Sequence, residues 1–132
     1  MNILLIVIVT LVVIFLAMQF TAYFKSKKFV GQPLPFDNLS GNLKNSIKDK
    51  DSVLYFYAPN CHACKQQSPV MEELKKDFNN IFIIDASKNV SDARAFGIMG
   101  TPSTIFIKAN QIKDVMIGFR NETVLRKKLA EL

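Results

Sequence analysis

The strongest constraint on this chain is an uncharged apolar segment near its N-terminus, residues 3–24. Thr10 is the only polar residue between Ile3 and Met18. As a helix, residues 3–24 span roughly 33 Å, which matches a hydrocarbon core of about 30 Å. An amphipathic helix packed on a soluble core would keep a polar face, and this segment has none. The sequence therefore predicts one membrane-spanning helix, with residues 3–24 in contact with the lipid bilayer.

A cleaved signal peptide is the alternative interpretation of this segment. Signal peptides begin with positive charge, have a shorter apolar core and end in small residues at a cleavage site. Here the amino group of Met1 is the only positive charge before the apolar run. Residues 17–19 and 21–23 are poor cleavage sites. We therefore expect an uncleaved, single-pass membrane anchor.

Lysines follow the apolar segment at once. Lys25, Lys27 and Lys28 form a cluster, whereas the other positive residues are interleaved with acids. By the positive-inside rule, this cluster favours a cytoplasmic C-terminal domain. The formal net charge of +6 therefore fits a membrane-flanking cluster better than a nucleic-acid patch, and we expect no nucleic-acid partner.

The rest of the chain has the length and patterning of one soluble domain. Gly31, Pro33 and Pro35 predict a linker or an irregular lead-in strand before it. We therefore divide the chain into a transmembrane anchor (1–25), a juxtamembrane linker (26–36) and a folded domain (37–132).

Hydrophobic periodicity predicts alternating helices and strands in the domain. Apolar runs predict two buried strands, 53–57 and 81–84, and two later strands joined by a hairpin turn at 109–111. Amphipathic segments predict helices at 39–49, from Cys61 onward, at 91–96 and at 121–132. Alternation followed by a hairpin implies an α/β domain with a mixed central sheet flanked by helices.

The last predicted helix has a recognisable start and face. Asn121 is expected to cap its N-terminus. Val124, Leu125 and Leu129 are expected to form its buried side.

The chain has two cysteines, Cys61 and Cys64, placed where the first buried strand meets a helix. A disulfide between them would close too short a loop to constrain the unfolded chain much. A helix N-terminus favours negative charge, and CxxC thiols in such places titrate at about 3.5 to 7.5 rather than about 8.5. Thiolate is the attacking species in disulfide exchange. Cys61 is therefore the predicted nucleophile, and Cys64, one turn later, the predicted resolving thiol.

This region resembles the active site of the thioredoxin family. The residues that carry the resemblance are the segment 55–65, Pro69 five residues after the second cysteine, the stretch Gly97–Pro102, and Gly118 in the last strand. They occur at the right separations and in the right order of elements, and the resemblance covers residues 37–132. It implies a thioredoxin-like fold.

The resemblance also implies an activity and site residues. Pro102 would form a cis peptide bond beside the cysteines, and the backbone of Thr101 would pair with an extended substrate segment. The chain would exchange disulfides with protein thiols, and a second redox protein would restore its dithiol state. No cofactor is expected beyond the redox-active Cys61–Cys64 pair, and no metal.

Four residues depart from the family pattern. Asn60 replaces the usual Trp before the first cysteine, and His62-Ala63 replaces Gly-Pro between the cysteines. Tyr55 stands where a buried acid commonly assists proton transfer at the second cysteine. Asn60 and His62 are therefore candidates for modulating the redox pair, and His62 is equally well explained as an inert exposed residue.

Two other functions stay open on the residues alone. A CxxC pair can be half of a zinc site, but two cysteines and His62 on one turn do not complete one. A metal shared at a dimer contact and a non-catalytic membrane adaptor are the remaining alternatives. The membrane side is also open, because the lysine cluster favours the cytoplasm whereas disulfide handling favours the extracytoplasmic side.

Overall fold

The computed structural model describes residues 2–132, except for the side chains of residues 22, 23 and 25–27. Met1 of the predicted anchor and the Lys25 and Lys27 side chains of the predicted lysine cluster therefore lie outside the described residues. The elements in chain order are α1 (Ile3–Lys27), a 3-10 turn (Phe36–Asn38), α2 (Gly41–Ile47), β1 (Ser52–Tyr57), α3 (His62–Asp77), β2 (Ile81–Asp85), α4 (Val90–Ala95), β3 (Ser103–Lys108), β4 (Gln111–Ile117) and α5 (Glu122–Ala130).

The apolar N-terminal segment forms one continuous helix, α1. The stretch Ile3–Thr21 has a mean hydropathy of 3.1, and none of it is buried against the rest of the protein. The hydroxyl of Thr10 donates to the carbonyl oxygens of Ile6 and Val7, so the helix satisfies its own polar side chain. In length and composition α1 can cross a membrane, and an N-terminal signal sequence meets the same two criteria.

Four strands form one mixed sheet in the order β2-β1-β3-β4. β1 runs parallel to β2 through the crossover helix α3, and antiparallel to β3. β3 and β4 form a hairpin whose turn residues, Ala109 and Asn110, have φ values of 51° and 59°. Positive φ at both positions suits a two-residue hairpin turn. The predicted fold class is confirmed: a thioredoxin-like mixed sheet flanked by helices, preceded by an apolar helix.

Two hydrophobic clusters cover the two faces of the sheet. Alternate side chains of β1 point to opposite faces, so Leu54 and Phe56 join the cluster that includes α2 and α4. Val53 and Tyr55 join the cluster that includes α3 and α5. β1 is thus one of the two inner strands, and three residues separate its end from the redox motif.

Two details of the predicted burial are wrong. β2 is an edge strand, and Phe82 and Ile83 are only half-buried because no further strand covers them. Val124 is 38% exposed, whereas Leu125 and Leu129 are buried. Asn121 does cap α5, since its side chain accepts a hydrogen bond from the backbone N–H of Val124 at 3.0 Å.

The segment after α1 packs on the domain as an irregular strand. Pro33 forms an antiparallel bridge with Gln111 at the start of β4. The N–H of Gly31 donates to Ile112 at 2.7 Å, and the N–H of Leu34 donates to Asn110 at 3.1 Å. Leu34 is 5% exposed and belongs to the main core.

Candidate active site

Cys61 and Cys64 form a disulfide with a Cα–Cα distance of 5.2 Å. Cys61 is the N-cap residue of α3 and Cys64 lies in its first turn. The chain leaves the end of β1 at Tyr57 and enters α3 at His62, and this short connection places the cysteine pair at the positive end of the helix dipole. Cys61 is half-buried, whereas Cys64 is 2% exposed, so an incoming group reaches Cys61 first.

Two backbone groups contact the sulfur of Cys61. The N–H of Cys64 donates to it at 3.2 Å. The carbonyl oxygen of Thr101 lies 3.3 Å from it. In the dithiol state, the first contact stabilises a thiolate at Cys61 and the second can accept a thiol proton.

Pro102 lies on the other side of the site and completes it. The Thr101–Pro102 peptide bond is cis, as the resemblance implies, and Pro102 is buried. The carbonyl of Pro102 accepts a hydrogen bond from the N–H of Gly118 at 2.8 Å, which joins the start of β3 to the end of β4. The structure thus brings Thr101 and Pro102 against the cysteine pair from a segment 40 residues away in sequence.

Two hydroxyl groups lie behind the buried cysteine. The Tyr55 hydroxyl and the Ser68 hydroxyl are 3.0 Å apart and share a hydrogen bond. Tyr55 is completely buried, and Ser68 follows Cys64 by one helical turn. Residues four apart lie on the same helix face, so this pair faces the interior beside Cys64.

Burial raises the pKa of Tyr55 above its ordinary value of 10.0, although the hydrogen bond with Ser68 acts in the opposite direction. The site therefore holds neutral hydroxyl groups where the family commonly has an acid. A neutral hydroxyl can pass a proton on without becoming charged. The sequence indicated the missing acid, but Ser68 as the partner of Tyr55 emerges only from the fold.

A second buried polar side chain follows Cys64 on α3. Gln67 is 1% exposed, and its Oε1 accepts the N–H of Arg120 at 2.6 Å. Within residues 2–132, its Nε2 has no protein hydrogen-bond partner. Gln67 thus fixes the loop that follows Gly118, and sequence reasoning missed it because its partner is 53 residues away.

The rim of the site is open to solvent. Asn60 and His62 are both exposed, one before and one after Cys61. Met99 is 80% exposed in the loop that leads to Pro102, and Phe119 is 42% exposed after Gly118. The disulfide is therefore surrounded by a surface that a polypeptide can contact.

The residues described by the structure contain no group of three or more His, Cys, Asp or Glu side chains that could hold a metal ion.

Comparisons with known proteins agree with this geometry. The family model described as Thioredoxin matches residues 36–131. Thioredoxin 2 of Chlorobaculum tepidum is 32% identical over 97 residues, which cover 71% of this chain and 87% of that protein. Thioredoxin 2 of Plasmodium berghei is 43% identical over 76 residues, 54% of this chain, but the chain spans only 46% of that relative's length.

A solved structure is also similar. The X-ray structure of Fasciola hepatica thioredoxin superimposes with a TM-score of 0.59 at 28% sequence identity. The superposition covers 68% of this chain and 88% of that one. The residues matched by the family model include the Cys61–Cys64 disulfide, and α1 precedes them.

Proposed function

Because this chain belongs to the thioredoxin family, we propose that it is a membrane-anchored oxidoreductase in which Cys61 is the nucleophile and Cys64 the resolving thiol. The family and a CxxC pair at disulfide distance support thiol–disulfide exchange as the reaction class. The observation that carries the finer proposal is the asymmetry of the pair: a half-buried Cys61 at a helix N-terminus, bonded to a buried Cys64.

The first step is the attack of the Cys61 thiolate on a substrate disulfide. One substrate sulfur forms a bond to Cys61, and the other leaves as a thiolate that takes a proton from solvent. Two features support Cys61 in this role: the N–H of Cys64 aimed at its sulfur and the helix N-terminus around it. The carbonyl of Thr101 lies beside the sulfur, where an extended substrate segment would run.

The second step releases the substrate. Cys64 loses its proton and attacks the Cys61 sulfur, so the intramolecular disulfide forms and the second substrate sulfur leaves as a thiolate. Two electrons pass from the dithiol to the substrate, and the reverse sequence oxidises a substrate dithiol. A second redox protein returns the pair to its starting state. We assign to the proton of Cys64 the hydroxyl of Ser68, one helical turn away on α3, and the hydroxyl of Tyr55 that is hydrogen-bonded to it.

The test uses the full-length protein in non-ionic detergent with a peptide disulfide as substrate. Cys61→Ser should abolish exchange, because no other thiol of the chain is accessible as a nucleophile. Cys64→Ser should accumulate a mixed disulfide on Cys61 that is visible by mass spectrometry. Ser91→Ala, an exposed position on α4, is the matched control and should react as the parent does.

Two results would reject the assignment. If the parent does not exchange with the peptide, the chain acts as a non-catalytic adaptor. If the mixed disulfide accumulates in Cys61→Ser instead of Cys64→Ser, the roles of the two cysteines are reversed.

The membrane side is decided by the same thiols. A membrane-impermeant maleimide is added to reduced intact cells and to reduced lysed cells, with Cys61→Ser as the background control. Labelling of Cys61 before lysis puts the domain outside the cytoplasm. Labelling only after lysis puts it in the cytoplasm, in agreement with the lysines that follow α1.

A further inference from the structure

The linker between α1 and the folded domain is very short. α1 ends at Lys27, and only Lys28 separates it from Phe29, which packs against the main core cluster. Gly31, Gln32 and Leu34 are then hydrogen-bonded to the turn before β4 and to its first residues. Flexible tethers let a domain move away from a membrane, and here no stretch of chain is free to act as one.

The direction of this segment places the end of α1 near the active site. Pro33 pairs antiparallel with Gln111, at the start of β4, whereas the far end of β4, Ile117, pairs with Ser103 beside Pro102. Going back along the chain from Leu34 to Gly31 therefore leads toward the end of the sheet that carries the disulfide, and a turn at residues 29–32 precedes this stretch.

One side-chain contact connects the two regions directly. The ring of Phe29 lies against Gly97, so closely that a Cβ atom on Gly97 would overlap it. Gly97 adopts a φ of +63° and begins the loop that reaches Thr101, whose carbonyl contacts Cys61. The segment that leaves α1 thus supports the loop that forms one wall of the redox site.

Strand geometry gives the distance between the anchor and the sulfur atoms. Gly31 bonds to Ile112 of β4, and the partner of Ile112 in β3 is Ile107. Gly31 is therefore about 10 Å from β3 across two strand spacings, and Thr101 is about 20 Å further along β3. The disulfide is thus roughly 20–25 Å from Gly31, which follows the end of α1 by four residues. Val30 and Met99 flank the Phe29–Gly97 contact and are 40% and 80% exposed, as apolar side chains near a membrane interface can be.

We propose that this docking holds the Cys61–Cys64 pair close to the bilayer surface, and that its substrates are cysteine pairs in membrane-proximal segments of other membrane-bound proteins. The inference rests on the proposed function, since it requires both the exchange reaction and an α1 that spans the membrane. On this proposal, the height of a substrate disulfide above the bilayer decides whether it reacts. A disulfide within about 20–30 Å of the bilayer surface is reached by Cys61, and a more distant one is not.

The height of the site is measurable without any activity. In the full-length Cys64→Ser variant, Cys61 is the only thiol and takes a fluorescent maleimide. Energy transfer to acceptor-labelled lipid headgroups in phosphatidylcholine vesicles reports its distance from the surface. A Gly-Ser insertion of about 20 residues between Lys28 and Phe29 should raise the mean distance by about 25 Å. The same residues appended after Leu132 are the control and should change nothing.

Exchange kinetics then test the consequence with unmutated cysteines. A peptide disulfide is attached to lipid headgroups through a short spacer or through about 20 prolines, which hold it about 60 Å away. The parent should react about tenfold more slowly on the long spacer. The insertion variant should lose most of that difference, while both react equally with the same peptide free in solution.

The outcomes separate this inference from the proposed function. Absence of reaction with the free peptide in every variant rejects the proposed function. Normal reaction with the free peptide, together with equal parent rates on both spacers or weak energy transfer in the parent, overturns the membrane-surface proposal alone.

Discussion

Residues 3–24 of α1 and the strand β1 are both uncharged apolar segments, yet they occupy opposite environments. Val53, Leu54, Tyr55 and Phe56 are each at most 1% exposed. Along Ile3–Thr21, in contrast, no part of the helix is buried in the protein. β1 has a strand on each edge and a hydrophobic cluster on each face, whereas the stretch Ile3–Thr21 is covered by no other part of the described chain. Apolar composition predicts that a segment avoids water, but the fold decides what covers it.

The polar atoms in the two segments show the same contrast. The Thr10 hydroxyl is satisfied within its own helix, by carbonyl groups three and four residues back. The Tyr55 hydroxyl depends on Ser68, which belongs to another element. A helix in lipid must satisfy its hydrogen bonds internally, whereas a buried strand can take a partner from across the core.

The largest difference is expected for truncation of an aromatic ring in each segment. Phe56→Ala should lower the free energy of unfolding by about 3–5 kcal/mol, because it leaves a cavity between β1 and Phe96. Phe15→Ala, at a position 60% exposed, should leave the domain unchanged. Urea unfolding of the full chain in detergent, followed by tyrosine fluorescence, measures both. An equal decrease in the free energy of unfolding for the two variants would mean that Phe15 of α1 packs on the domain.

A charge in the middle of α1 tests the lipid environment itself. Val12→Arg should weaken membrane insertion by about 2.5–3.5 kcal/mol, because the guanidinium would lie in the hydrocarbon core. The fraction that resists carbonate extraction should fall, while the unfolding of the domain stays as in the parent. Val90→Arg, on the exposed surface of α4, is the matched control. A membrane fraction that does not change in Val12→Arg argues against α1 as the anchor.

Removal of one hydroxyl from each segment should have a smaller effect. Tyr55→Phe should cost about 1 kcal/mol of unfolding free energy, since the half-buried Ser68 loses its partner. It should also slow the release of substrate from Cys61 in a single-turnover experiment, if the hydroxyl handles the proton of Cys64. Thr10→Val should change neither quantity. Unaltered release kinetics in Tyr55→Phe would leave the pair with a structural role only.

The smallest expected effect is a difference in stability at alkaline pH between the parent and Tyr55→Phe. The pKa of Tyr55 is raised in the folded state by burial, so the neutral form is favoured there more than in the unfolded chain. This contribution is fully present below pH 10.0 and decreases as the pH rises through the folded-state pKa. Between about pH 10 and 12 the parent should lose more stability than Tyr55→Phe, while Tyr57→Phe serves as control. Parallel curves for parent and Tyr55→Phe would contradict the buried environment of the hydroxyl.

Much of the site was predictable because the residues that form it are close together in the sequence. Cys61 and Cys64 share one helical turn, and the strand before them and the helix after them each have a clear period. Pro102 came from resemblance, through the residues that precede it. Ser68, Gln67 and Phe29 were missed as parts of the site or its support, because each acts through a partner that is distant in sequence.

The sequence by itself determined the apolar N-terminal helix, the alternation of helices and strands, and the placement of the cysteine pair at a helix start. These follow from composition and period, which are properties of neighbouring residues. Only the tertiary structure decided that β2 is an edge strand, that Val124 faces out, that Tyr55 bonds to Ser68 and that Phe29 fits against Gly97. The physical reason is that burial and hydrogen-bond pairing depend on contacts between elements, and those contacts exist only once the sheet has formed and both of its faces are covered.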